Sequence, residues 1–242
     1  MNVVARLRVA LRVGAMVFAL LAALPLHGLW RLFRLPSPWP RLLLGSIGRI
    51  AGARRRVVGT PLRRDAFFVA NHQSWLDILL LAGATGTAFI AKRELERTPL
   101  IGWLCKLNHT VFVDRGDRSA IADQIADVKA ALDEGWSVAI FPEGTTGDGA
   151  GLLPFKAPLL SALDPAPPRV RVQPVWIDYG PARDTAWVGE EPGLVNVRRV
   201  LSRPGGLPVT LHMLDPFDPA EIGNRKAIAA EARRRIEAAM TA

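Results

Sequence analysis

AFFVANHQSWLD, residues 66–77, carries the change of periodicity from which the fold is read. Ala66 to Ala70 is a short run of small, aromatic and β-branched residues with no polar member, as expected of a strand buried on both faces. Asn71 to Ser74 interrupt it with polar side chains. From Trp75 to Leu81 the apolar residues return as on a buried helix. A strand, a polar loop and a helix within a dozen residues make the βα unit of a parallel sheet.

The same alternation recurs on either side. Val57, Thr87 to Ala91, Thr110 to Val113, Ser137 to Phe141 and Val170 to Ile177 read as further strands, with a late one at Val209 to Leu214. Helical patterns fall at Ser119 to Glu134, Pro158 to Leu163 and Pro219 to Met240. The expected fold class is α/β, a mainly parallel sheet covered by helices. Ligands in such sheets gather beyond the carboxyl ends of the strands. Polar segments follow the strands there four times, as NHQSWLD, DRGDR, PEGTTGDG and DY.

In the first of these, Asn71, His72 and Asp77 stand as N-H-x-x-x-x-D. A neutral imidazole takes a proton from an alcohol near neutral pH, and a carboxylate one helix turn on can hold the other ring nitrogen protonated. A plainer reading stays open on the sequence. Ser74 and Asp77 have capping-box spacing, so Asp77 would only satisfy backbone donors at a helix start. Lys92, with Pro99 and Gly102, and then Phe112, Val113, Asp114 and Arg115 bring two cations to the same sheet edge. There they would clamp an anionic head group, or face solvent and pair with neighbouring acids. Phe141, Pro142, Glu143, Gly144, Thr145 and Thr146 form a tight turn, followed by the flexible GDGAG, of a kind that suits anion or carbonyl recognition.

The chain has 242 residues, half of them hydrophobic, with a net charge of +9. That charge is concentrated at one end: residues 1–64 hold 12 arginines and no acid, whereas the remainder holds 19 basic and 22 acidic side chains. Arginines interleaved with Leu, Val, Phe and Trp suit an anionic lipid surface and not a nucleic-acid groove. Val13 to Trp30 contains no charged residue and lies between Arg12 and Arg31. Its length is marginal for a bilayer span, and Pro25, His27 and Gly28 weaken its second half. The expectation is a helix that enters one leaflet, turns near Pro25 and leaves through Leu29 to Leu35, with a single span as the alternative. A cleaved signal peptide fits less well, because no A-x-A site follows Leu26. The proline-rich LPSPWP, Leu35 to Pro40, reads as a linker, giving a membrane-associated helical segment at residues 1–35 and a catalytic domain at residues 41–242. The single cysteine, Cys105, permits no internal disulfide or multi-cysteine metal site.

Other enzyme classes are poorly served. A serine hydrolase lacks its G-x-S-x-G elbow, and GDGAG lacks the third glycine of a dinucleotide loop. A metal-assisted phosphoesterase built on His72, Asp77 and Asp114 would need a second histidine at ligand spacing, and His27, His109 and His212 are scattered. A non-catalytic lipid-binding protein is the rival from another class, and its basic prefix alone would do the work.

Taken together, NHQSWLD, FVDR, FPEGT and VQPVWI resemble, in order and spacing, the four blocks of the glycerolipid acyltransferase family typified by 1-acyl-glycerol-3-phosphate acyltransferases. LLPFK, Leu152 to Lys156, also resembles the stretch after the family's third block. The resemblance implies direct acyl transfer from acyl-CoA or acyl carrier protein to a lysolipid hydroxyl, with no cofactor or metal and no covalent enzyme intermediate. It implies His72 as general base and Asp77 as its orienter. Asn71, Lys92, Arg115, Glu143, Gly144, Thr145 and Thr146 would line the acceptor site, on the cytoplasmic face of a membrane. The default acceptor is 1-acyl-sn-glycerol-3-phosphate. Phosphatidate-forming members usually continue F-P-E-G-T-R, however, and this chain has Thr146 at the arginine position. That departure raises a lyso-ornithine lipid, or another less anionic lysolipid, as the alternative.

Overall fold

Among the described residues, seven strands form one sheet in the order β1-β7-β6-β2-β5-β3-β4. They are β1 (Ala53–Val58), β2 (Ala66–Ala70), β3 (Ala88–Lys92), β4 (Val111–Val113), β5 (Val138–Ile140), β6 (Arg171–Asp178) and β7 (Leu207–Met213). The computed structural model describes residues 1–113, 121–181 and 183–241. Every neighbouring pair is parallel except β6 with β7, so the sheet is mainly parallel as expected. All five residues of β2 are buried, because it lies in mid-sheet with helices on both faces.

Side chains alternate between the two faces, and each face has its own core. On one, Phe68 and Ala70 of β2 join Leu76, Leu80 and Leu81 of α3 (Leu76–Thr85) and Val200 and Leu201 of α7 (Gly193–Ser202). On the other, Phe67 and Val69 meet Val128 and Leu132 of α6 (Ile121–Asp133) and Ile228 and Ala232 of α9 (Arg225–Thr241). The expected Pro158 to Leu163 helix is a 3-10 turn that contributes Leu160 and Leu163 to this second core.

Several elements escape the sequence pattern. Helix α2 (Trp39–Ile50) begins inside the proline-rich segment read as a linker, with Pro40 in its first turn where the missing N–H has no intrahelical partner to lose. It crosses α3 so closely that a Cβ on Gly83 would lie 2.5 Å from the Gly45 Cα, which only glycine permits. Helices α4 (Arg93–Glu96) and α5 (Pro99–Leu107) fill the β3-to-β4 connection, and α7 fills the β6-to-β7 connection.

Helix α1 (Val3–Leu32) runs unbroken through Pro25, where the sequence suggested a change of direction. It is long and apolar enough to cross a membrane. Of its residues only Ala23 is buried, while Leu11, Phe18 and Leu21 are 65%, 75% and 63% exposed. So much bare apolar surface points to membrane association. The helix is not detached from the body, since Val9 and Met16 pack against the first core.

Candidate active site

Where β2 ends, the side chain of Asn71 extends the ladder. Its Nδ2 donates to the Ile177 carbonyl at 3.0 Å and its Oδ1 accepts from the Ile177 N–H at 2.7 Å. This amide clip ties the β2 loop to β6 and sets the start of the next segment. His72 follows, its Nδ1 lying 2.8 Å from Asp77 Oδ2. The same oxygen accepts from the backbone N–H groups of Gln73 at 2.7 Å and Ser74 at 2.9 Å. One carboxylate oxygen thus caps the loop and also contacts the imidazole.

The other Asp77 oxygen, Oδ1, accepts from the Tyr179 hydroxyl at 2.5 Å, and both residues are buried. Burial, followed by the negative charge of Asp77, pushes the Tyr179 phenol well above its ordinary value, so it stays a donor. Four hydrogen bonds compensate a carboxylate with no solvent exposure. A carboxylate so placed requires the imidazole proton on Nδ1, which leaves Nε2 as the acceptor that can take a substrate proton. The ring stacks on Phe141 at 4.1 Å between centroids, and Phe141 stacks in turn near Phe89, fixing its plane.

The FPEGT turn after β5 closes over this pair. Glu143 is buried and holds two backbone donors, His72 N–H on Oε1 at 2.7 Å and Leu153 N–H on Oε2 at 2.9 Å. Desolvation raises its pKa, and the two backbone donors oppose the rise. Gly144 adopts φ +74°, and a Cβ there would sit 3.2 Å from Cδ and Nζ of Lys156. The lysine therefore lies across the glycine. Gly147 donates to the His72 carbonyl at 2.7 Å, so the turn grips the histidine segment on both sides. Thr145 is exposed. Thr146 donates its hydroxyl to the Trp187 carbonyl.

Of the residues singled out from sequence, the structure thus brings Asn71, His72, Asp77, Glu143, Gly144 and Thr146 into one contiguous network. Lys92 ends β3 at the same sheet edge, paired in register with Val113. Its side chain, and the whole of Arg115, lie outside the described residues. Three contributors were missed: Tyr179, Lys156 and Trp187. Tyr179 had a signal, since it directly follows a strand that ends at the site. Lys156 stood in LLPFK with no spacing to link it to Gly144. Trp187 acts through its backbone, which no side-chain pattern reveals.

A histidine held by a buried carboxylate at the carboxyl edge of a mainly parallel sheet, on a body joined to an exposed apolar helix, defines the class: an α/β protein with a membrane-associated prefix. Residues 54–178 match the family described as Acyltransferase. The lyso-ornithine lipid O-acyltransferase of Rhodobacter capsulatus is 34% identical over 96% of this chain and 90% of its own length. The 1-acyl-sn-glycerol-3-phosphate acyltransferase of Neisseria gonorrhoeae is 43% identical over 39% of this chain and 38% of its own. In structure, the chain is similar to the 1-acyl-sn-glycerophosphate acyltransferase of Thermotoga maritima, with a TM-score of 0.67 and 24% identity over 98% of both chains, a likeness of fold. The chain belongs to this acyltransferase family, and it is an O-acyltransferase of the lysolipid type.

Proposed function

We propose that the protein acylates the free hydroxyl of a lyso-ornithine lipid, taking the acyl group from acyl-CoA or acyl carrier protein. His72 Nε2 removes the hydroxyl proton as the oxygen attacks the thioester carbonyl. The new C–O bond forms, the tetrahedral intermediate collapses with loss of the C–S bond, and the imidazolium returns its proton to the departing thiolate. Asp77 steadies the imidazolium, and Tyr179 and the two loop amides steady Asp77. A positioned base of this kind contributes about 10²- to 10⁴-fold. The body, residues 41–242, would work on the cytoplasmic face, where such donors are found, held there by residues 1–35.

The choice of acceptor rests on Thr146. A phosphate monoester with nearly two negative charges rewards a cluster of cations. Here the position is an uncharged hydroxyl already bound to the Trp187 carbonyl. An ornithine head group is zwitterionic and asks less of that position. The relative matched along almost its full length, named a lyso-ornithine lipid O-acyltransferase, supports the same choice.

Thiol release from acyl-CoA, measured with lyso-ornithine lipid and lysophosphatidate in the same mixed micelles, tests the proposal. The expected result is a higher kcat/KM for lyso-ornithine lipid, with turnover lowered by at least about 10²-fold in His72→Ala. Thr146→Arg should move the ratio toward lysophosphatidate by one or two powers of ten, since a charge-assisted hydrogen bond contributes about 1.5–3 kcal/mol. A wild type that prefers lysophosphatidate, with a ratio indifferent to Thr146→Arg, would return the acceptor to the phosphate monoester.

A further inference from the structure

Between β6 and β7 the chain presents apolar side chains to solvent without burying them. Leu194 is 85% exposed, Val195 53% and Val188 43%. Single exposed hydrophobics are ordinary on any surface, but three within eight residues, on a rigid support, are not. Helix α7 turns Asn196, Val200 and Leu201 inward, and Val197 packs on the same core. Its outer stripe is Leu194, Val195, Arg198 and Arg199, at i and i+4 spacing, all exposed.

The support is a braced loop. Trp187 N–H donates to the Gln73 carbonyl at 2.9 Å, its carbonyl receives the Thr146 hydroxyl, and its indole N–H donates to the Glu191 carbonyl at 2.7 Å. Asn196 and Arg199 bind the Ala186 carbonyl at 3.1 and 2.9 Å. Val188 therefore projects from a segment hydrogen-bonded to the His72 loop on one side and to the FPEGT turn on the other.

What covers this patch is indicated by its neighbour. The last turn of α7 is held by α1: Arg8 donates to the Ser202 carbonyl at 2.6 Å and Arg12 to the Leu201 carbonyl at 2.9 Å. Helix α1 is the apolar helix whose outer face stands bare, and these bonds fasten α7 to it. The exposed arginines of α7 add to an N-terminal region of 12 arginines and no acid. Two acids lie beside the patch in sequence: Glu191, paired with Arg199 at 2.7 Å, and the exposed Glu190.

We propose that Val188, Leu194 and Val195 form a second bilayer contact, which seats the Trp187 wall of the active site on the surface of an anionic membrane. An apolar first turn followed by arginines is the arrangement of an interfacial helix. The contact shortens the path of a lysolipid from the leaflet to His72, whichever head group it carries, so the inference stands apart from the choice of acceptor.

The test uses the full chain with Cys105→Ser and a single environment-sensitive dye at Leu194→Cys, mixed with phosphatidylcholine–phosphatidylglycerol vesicles. The dye should shift to the blue and be quenched by lipids spin-labelled near the head group. A dye at the exposed Glu221→Cys of α8 (Pro219–Ile222) should not respond. An unresponsive Leu194 dye on vesicles where a dye at Phe18→Cys does respond would overturn the proposal. In parallel, the triple variant Val188→Ser, Leu194→Ser, Val195→Ser should lose about tenfold in turnover of lysolipid embedded in bilayers. It should keep wild-type turnover of lysolipid dispersed in detergent. Equal loss in both settings would mark a structural defect and refute the membrane role, as would no loss in either.

Discussion

Tyr179 is the one tyrosine of the chain, and its hydroxyl donates to the Oδ1 of the fully buried Asp77 carboxylate. That singularity makes its state measurable. Because burial and Asp77 hold the phenol well above its ordinary value of 10.0, the native protein should show no half-formed phenolate at that pH. Denaturant should restore ordinary titration. The sign follows from linkage: the raised group's stabilisation is complete below the unfolded value and is lost as pH climbs through the folded one. Phenolate absorbance rising near the ordinary value in the native protein would show that Tyr179 does not face Asp77. Tyr179→Phe leaves Oδ1 without its donor, and the expected loss of about 1.5–3 kcal/mol should appear in kcat more than in KM. At this scale the sequence was half legible. The pair His72 and Asp77 could be proposed from spacing, but their fourth partner lies about a hundred positions away and no local pattern joins them.

Elements carry the next level of control, and Glu143 shows how. The FPEGT turn and the β2 loop belong to different strands, and a single buried carboxylate joins them through the His72 and Leu153 N–H groups. Glu143→Gln keeps the shape but sets an NH₂ against one of those N–H donors. A cost of about 1–3 kcal/mol in stability is expected, with a loss of turnover, because the His72 backbone loses its brace. Unchanged thermal stability and unchanged turnover in that variant would remove the turn from the architecture of the site. The alternation of strands with helices was readable because buried parallel strands are nearly pure apolar runs bounded by polar loops. The reversal of β7 was not, since an apolar pattern reads the same in either direction. Helices α2 and α7 were hidden for a related reason. Gly45 and Gly48 in one, and Val195, Asn196 and Val197 in the other, are weak helix formers whose state is set by packing on the sheet.

For the whole molecule, the issue is whether the N-terminal helix is only a tether. The sequence separates residues 1–35 from the body by their apolar run and their proline-rich boundary, and bare apolar surface on α1 agrees with a lipid role. Yet Arg12 donates to carbonyls of Leu201 and Arg203, and Arg8 to that of Ser202, so α1 supplies the C-terminal cap of α7. Cations at a helix C-terminus satisfy orphan carbonyls and complement the dipole. Val9 and Met16 add apolar contact with the core beneath. Removing residues 1–35 should therefore release protein from membranes and also lower its stability, two effects that a simple tether would not combine. Arg8→Ala with Arg12→Ala separates them, because the uncharged stretch from Val13 to Trp30 remains. These bonds are only partly buried, so the pair is expected to contribute about 1–2 kcal/mol in all. In a chain of this size each kcal/mol corresponds to roughly 2–4 °C in Tm. The double variant should thus sediment with membranes like the wild type, while its melting point in detergent falls by a few degrees. A melting point that does not move, in protein that still binds membranes, would mean that α1 rides on the body without holding it together.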